Sequence, residues 1–297
     1  MSGRITDVAA SGDEEVRMSG LKIAYTGIEG AFAHIVARKL FPGEAFYSFG
    51  SFKKAYEAVE NEECDMAVLP IENSYSGEVN DVMDLLFEGR LYVNALYALP
   101  VVQNLLGIRG SRIQDIKKVV SQPKALEQCD EYIRSRGYEV VQATNTAVAA
   151  RQVAQMEDIS VAAIASIETA AIYGLKVLDE QINERDDNTT RFVVVSRDCG
   201  HIDIPGQEKS FIVLFTVNNT AGSLLVPLQI IADNGYNMKV LHSRPLKSRR
   251  WEYYFYVEIE GDVTDPRGQN MMSRLEEVCP FARALGPYYI VNDNNNP

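Results

Sequence analysis

The sequence predicts an α/β protein: two alternating strand–helix series that form two lobes, followed by a smaller α+β unit of the ferredoxin-like kind. Three observations predict it. Short apolar runs alternate with helix-period segments from Leu21 to about residue 205, and such alternation implies parallel sheets. A polar stretch with Gly200, Pro205 and Gly206, DCGHIDIPGQE, then interrupts the pattern. Beyond it the order becomes βαββαβ within about 85 residues.

The elements follow in order. The first twenty residues are polar and read as a disordered arm. LKIAYTG is a strand ending at Gly27, and AFAHIVARKLF is a helix with Phe32, Ile35, Val36, Lys39 and Leu40 on one face. SFKKAYEAVENEE repeats the helix, and DMAVLPIENS is a strand running into a loop. A second series begins near Pro100. KKVVSQ is a strand, and PKALEQCDEYIRSRG is a helix with Pro123 in its first turn and Gly137 past its end. YEVVQAT, NTAVAARQVAQME, VAAIAS and IETAAIYG continue as strand, helix, strand and short helix, and TTRFVVVSR is a further strand. After the linker, KSFIVLFTVN, AGSLLVPLQIIADNG, YNMKVLHSR, RRWEYYFYVEIEG, DPRGQNMMSRLEEVC and YYIVN supply the βαββαβ order. The expected division is 1–20 arm, 21–205 two-lobed part with its second lobe at about 100–190, and 208–292 small domain.

Composition excludes several classes. The formal net charge of -12 repels phosphate backbones, so nucleic acid is not an expected partner. No apolar run approaches the roughly 20 residues of a membrane span, and the start carries no signal-peptide pattern, so the expected location is the cytoplasm. Cys64, Cys129, Cys199 and Cys279 are far apart and read as free thiols. His34, His201 and His242 never pair at ligand spacing, which argues against zinc and against a His-based triad. No cofactor is expected. An anionic ligand here needs local donors: backbone N–H groups at helix starts, hydroxyls, one or two basic side chains.

In open α/β sheets, ligands sit beyond the carboxyl ends of strands. The candidate loops are therefore Gly27–Ala33, Pro70–Gly77, Thr144–Thr146, Ala165–Thr169 and the strand carrying Arg191. Glu72, Asn73, Ser74 and Ser76 follow a buried-looking strand, Gly77 permits a tight turn, and a helix start adds donors. The plainer alternative is a capping loop in which the serines serve the backbone. Gly27 and Gly30 flank a turn that can present N–H groups to an anion, but a lone GxxG is a weak signal and the pattern favours a plain turn. Asn188, Thr189, Thr190 and Arg191 crowd a strand start, where alternation sends Thr190 and Phe192 one way and Arg191 the other. In the small domain, Gly222 marks a strand-to-helix turn and Arg244 a strand end.

The order of PIENSYSGEVNDVMDLL, QPKALEQC, IASIETAAIYGLKVL, NTTRF, NTAGSLL and HSRP closely resembles the prephenate dehydratase family with its carboxyl-terminal ACT domain, over residues 21–290 or so. That resemblance implies a catalytic part with two lobes like those of periplasmic binding proteins and a cleft between them. It implies conversion of prephenate to phenylpyruvate with loss of carbon dioxide and water, in L-phenylalanine biosynthesis. Thr190 is the implied essential residue, and Glu72 is the proposed proton source. Substrate-binding positions are implied at Gly30, Asn73, Ser74, Gly77, Asn145, Thr146, Ala165, Ser166, Asn188, Arg191 and Phe192. The ACT domain implies phenylalanine as allosteric ligand, bound by Asn219, Ala221, Gly222, Ser223, Leu224, His242, Ser243 and Arg244, and a homodimer or homotetramer.

The chain departs from the family pattern at several places. Ala31 and Ala33 replace two hydroxyl residues of the first turn, which keeps arogenate open as a substrate. Gln122 and Lys124 replace a histidine and a glutamine, and His242 replaces a glutamate that can partner the ligand's ammonium. Two other readings compete: a solute-binding protein without catalysis, and a regulatory subunit that works with a chorismate mutase on another chain.

Overall fold

The computed structural model describes residues 20–200, 202, 208–247 and 251–291. The expected arm, most of the linker and the NDNNNP tail lie outside the described residues.

The first lobe comprises β1 (Lys22–Thr26), α1 (Phe32–Leu40), β2 (Ala45–Phe49), α2 (Phe52–Glu60), β3 (Met66–Asn73), β4 (Gly77–Glu78), α3 (Asn80–Glu88) and β5 (Tyr92–Pro100). The second comprises β6 (Asn104–Gly107), β7 (Lys118–Ser121), α4 (Pro123–Glu127), α5 (Asp130–Arg136), β8 (Glu139–Gln142), α6 (Thr146–Met156), β9 (Val161–Ala165), α7 (Ile167–Tyr173) and β10 (Lys176–Asp179). The chain then returns as β11 (Thr189–Ser196). The last unit is β12 (Lys209–Thr216), α8 (Leu225–Asp233), β13 (Met238–Pro245), β14 (Tyr253–Glu260), α9 (Pro266–Val278) and β15 (Phe281–Val291).

Local chemistry sets many boundaries. Ser51, Asn145 and Asp265 cap α2, α6 and α9 by accepting from the N–H of Lys54, Val148 and Gly268. Gly137 and Gly174 end α5 and α7 in the left-handed region, at φ 66° and 67°. The helix expected from Pro123 breaks in two, because Cys129 leaves helical geometry and buries its thiol in the second-lobe core.

The sheets are mixed rather than parallel, for a topological reason. In the first lobe β2, β1 and β3 pair in parallel, while β11 lies antiparallel between β3 and β5. Strand β5 ends at Pro100 on the cleft side, where the chain crosses to the second lobe. It returns beside the same point, with Thr189 opposite Pro100, so β11 must run the other way. In the second lobe β8, β7 and β9 are parallel, and β6 is antiparallel to β9 and β10. The backbone bridge from Val101 N–H to Asn188 O closes the double crossing.

The last unit has strand order β13-β14-β12-β15, the ferredoxin-like arrangement expected from its sequence. It is less separate than the sequence suggests. Strand β15 continues past β12 and pairs with β5 in parallel, Tyr289 opposite Ala95, so one ten-stranded sheet spans both parts. Alternation along β12 and β14 explains the join. Phe211, Val213 and Phe215 face α8 and α9, whereas Ile212, Leu214, Tyr254 and Tyr256 share a core with Tyr56 and Leu86 of the first lobe.

Candidate active site

Between the lobes lies a cleft of about 840 Å³. The turn after β1 contributes Thr26, Gly27 and Ala31–Ala33, and the start of α2 contributes Ser51, Phe52 and Lys53. The second lobe contributes Gln122, Asn145 and Thr146; β11 contributes Thr190 and Phe192. Helix α3 contributes Asp81, Asp84, Leu85 and Glu88, and Lys247 reaches in from the last unit.

The starts of α1, α2 and α6 border this cleft, and first-turn N–H groups have no partner within their own helix. At α1 the capping position is Ala31, which makes no side-chain cap. The loss of a hydroxyl there leaves those donors and the positive end of the helix dipole to a ligand anion. The turn itself is held from below. Gly30 N–H donates to His34 Nδ1 at 3.0 Å, and burial pushes the pKa of His34 down, so the ring is neutral and Nδ1 accepts. From the other lobe, the Tyr173 hydroxyl donates to Glu29 O at 2.6 Å and the Thr169 hydroxyl reaches Gly30 O at 3.4 Å. Gly27 occupies φ 96°, and a Cβ there meets Ala31 Cβ at 3.0 Å, so two reasons select glycine.

Thr190 stands at the centre of a hydrogen-bond arrangement. Asn73 Oδ1 accepts from Tyr75 N–H and Ser76 N–H, both at 3.1 Å, and these partners fix the orientation of its amide. Its Nδ2 therefore faces β11 and donates to Thr190 Oγ1 at 3.0 Å and to Asn188 Oδ1 at 2.8 Å. With one lone pair of Oγ1 occupied by a donor, the Thr190 hydroxyl is free to donate its own proton into the cleft. Ser74 ties the same loop to β11: its Oγ accepts from Thr189 N–H at 3.0 Å and donates to Asp187 O. Gly77, at φ 74°, lets the chain turn into β4. We expect Asn73→Asp, which keeps the acceptor for both backbone N–H groups, to turn the Thr190 hydroxyl toward the new carboxylate. Steady-state kinetics should show kcat lower by about 10²-fold, and the melting temperature should fall, since the new carboxylate oxygen also faces Asn188 Oδ1 where the amide donated.

Several residues anticipated from the sequence lie elsewhere. Glu72 and Arg191 do not line the cleft. A register shift between Arg191 and Phe192 puts Glu72 opposite Arg191, where the two pair at 2.8 Å. Arg191 also binds the buried Glu258 of β14 at 2.6 Å, and these partners outweigh burial and keep the guanidinium firmly charged. Glu72, expected to supply a proton, is therefore placed outside the cleft lining and beside Arg191. Ala165 is buried in the second-lobe core, and Ser166 bonds Thr169 at 2.8 Å at the lobe contact. Asn188 is buried and supports Asn73.

In the last unit, a cavity of about 240 Å³ gathers Asn219, Gly222, Ser223 and Leu224 with Trp251, Tyr253 and Phe255. Ala221 is in the same turn and exposed. Strand alternation separates His242 and Arg244 from that cavity. Ser243 pairs with Phe255 on its side, while His242 and Arg244 face the first lobe. There His242 Nδ1 meets Glu78 at 2.6 Å, and Arg244 binds Asp84 through Nε and Nη2 and Asn80 through Nη1. Asp84 and Lys247 were not anticipated. The available signal was the i, i+4 polar stripe Asn80, Asp84, Glu88 on a helix otherwise read for its apolar face.

Comparison with known proteins gives the family. The family model described as prephenate dehydratase matches residues 23–200. Arogenate dehydratase 2 of Petunia hybrida is 35% identical over 286 residues, covering 91% of this chain and 72% of that protein. Among solved structures, one titled as a novel type of quorum-quenching acylase, GqqA, superposes with TM-score 0.82 at 30% identity, over 91% of this chain and 98% of that one. The prephenate dehydratase of Arthrobacter aurescens in complex with L-Phe superposes with TM-score 0.80 at 28% identity, over 91% and 90%. With a catalytic-domain match over most of the two lobes, a relative this similar, and the cleft and Thr190 arrangement already described, the chain belongs to the prephenate dehydratase family.

Proposed function

We propose that this enzyme converts prephenate to phenylpyruvate, with the Thr190 hydroxyl donating a hydrogen bond to the departing C4 hydroxyl. The single observation that carries this reading is the Asn73 amide on Thr190 Oγ1, which leaves the hydroxyl proton for the cleft. The ring C–C bond to the carboxylate breaks and its electron pair enters the ring as carbon dioxide leaves. The C4–O bond breaks with its pair, and the departing oxygen takes up a proton to become water. The product ring is aromatic, so the reaction needs no redox step. The enzyme's task is to hold a flexible dianion and assist one leaving group. Donors at the starts of α1, α2 and α6 suit the two carboxylates. The proton comes from water or the cleft rather than from Glu72.

Arogenate is a second substrate reading, supported by two observations. Ala31 and Ala33 stand where the family commonly has hydroxyls. Asp81 and Glu88 on the cleft wall suit the ammonium group that arogenate carries in place of a ketone. Regulation by phenylalanine is part of the proposal, supported by the cavity at Asn219–Leu224 and by the phenylalanine-bound neighbour. Self-association is supported by Leu225, Val226, Leu241, Trp251 and Tyr253, large apolar side chains exposed on the last unit. Free thiols at all four cysteines suit a reducing compartment such as the cytoplasm.

One assay tests these together: purified protein with each acid, with and without phenylalanine, followed by the absorbance of the phenylpyruvate enolate in alkali for prephenate and by phenylalanine formation for arogenate. Turnover of at least one acid, slowed by phenylalanine, is the expected result. Inertness toward both would end the catalytic reading, and calorimetry without heat from phenylalanine would end the regulatory one.

A further inference from the structure

The cleft of an enzyme for dianions has an unexpected wall. Helix α3 presents Asp81, Asp84 and Glu88 to it, whereas the cations that line it, among the described residues, are Lys53 and Lys247. Lys53 also lies 3.7 Å from Glu57 on its own helix. Lys247 belongs to the β13–β14 hairpin of the last unit and crosses to the catalytic part. Its Nζ is 2.9 Å from Asp84 Oδ2.

Two cations share Asp84, and Lys247 is the ion-pair partner of its buried Oδ2. The other oxygen, Oδ1, already takes Arg244 Nε and Nη2 at 3.1 and 3.0 Å and the Tyr254 hydroxyl at 2.9 Å. Arg244 is 12% exposed and forms the buried partner; Lys247 is 64% exposed. The Lys247–Asp84 pair is open at its lysine end and buried at its carboxylate end, where Asp84 is 7% exposed. With two cations on one carboxylate, Arg244, Lys247 and Asp84 together carry one net positive charge, and its exposed end is displayed in the cleft beside Asp81 and Glu88.

We infer that Lys247 is a positioning and specificity-determining residue: a cation supplied by the regulatory unit that offsets the acidic wall of α3 and draws the substrate's second carboxylate into the cleft. The catalytic site is then completed in cis by the hairpin that also carries His242 and Arg244. This rests on the dehydratase reading above. Coulomb energy scales with ligand charge, so loss of one cation should cost a dianion more than a ligand whose ammonium leaves it a net monoanion.

The test compares wild-type enzyme, Lys247→Met and Lys247→Arg on prephenate and arogenate at low and high ionic strength. For Lys247→Met at low salt, KM is expected to rise about tenfold for prephenate and about threefold for arogenate, the square-root relation of charges two and one. The kcat should stay within about twofold, Lys247→Arg should restore KM, and the gap should narrow at about 0.5 M salt through screening. Unchanged KM, an equal rise for both acids, a gap insensitive to salt, or a loss in kcat alone overturns the inference. A wild-type enzyme inert toward both acids overturns the dehydratase reading itself, a result separable from any effect of the variants.

Discussion

Thr190→Ala should lower kcat by about 10²–10³-fold and change KM by less than about threefold, because the donor it removes acts on a leaving group only as the bond breaks. The hydroxyl is half-buried in the cleft, with Asn73 on one side and open space on the other. Alanine removes no core packing, so the variant should melt near the wild-type temperature. Thr190→Ser restores a hydroxyl on a freer rotor and should recover all but about tenfold of the rate. Thr190→Val, which keeps the shape and leaves one donor of the Asn73 amide without its partner, should be as inactive as alanine and somewhat less stable. A Thr190→Ala enzyme with near-normal kcat would remove the mechanistic core of the proposal. Together with Asn73→Asp, these variants separate the presence of the hydroxyl from its direction.

The largest expected effect on stability is at the join between the two parts of the chain. Arg244→Ala leaves the buried Asp84 carboxylate with Tyr254 and the exposed Lys247 as partners. Stripping the buried cation from such a pair costs about 3 kcal/mol, visible as a lower urea midpoint. Arg244→Lys should recover part of this, since lysine keeps the charge and loses the fork. The effect depends on pH with a defined sign. Burial alone would raise the pKa of Asp84, but hydrogen bonds from Lys247, Tyr254 and Arg244, with the Arg244 charge, outweigh it and hold the carboxyl below its ordinary value. A depressed carboxylate contributes stability that is present above its unfolded pKa, about 3.9, and lost as pH falls through the folded value. The gap between wild type and Arg244→Ala should therefore be full at neutral pH and narrow below about pH 4. A constant gap from pH 7 to pH 3 would show that Arg244 acts through packing alone.

These two residues illustrate what was legible in advance. Thr190 and Phe192 were assigned to one face and Arg191 to the other by the period of a strand, and the structure keeps that division. Glu72 lies off the cleft lining because a one-residue register shift beside Arg191 reverses which face of β3 meets the cleft, and no local pattern announces such a shift. His242 and Arg244 were grouped with the regulatory turn by proximity in sequence. The same period-2 rule, applied across β13, would have set them apart from Ser243, but which face meets the first lobe depends on how the sheets join.

What the sequence determined by itself was everything with a short-range cause. Hydrophobic period, caps at Ser51, Asn145 and Asp265, and glycines at 137 and 174 decide which segments are helices and where many end. The order of elements then decides the fold class, because connections are short and each amphipathic face must be covered. Tertiary structure alone decided the direction of β11, the fusion of β15 onto β5, and the arrival of Lys247 beside Asp84. These join residues far apart in the chain: Asp84 and Lys247 are 163 positions apart as numbered. Only burial of a common core between the lobe and the last unit brings such positions together, and no window of sequence contains that information.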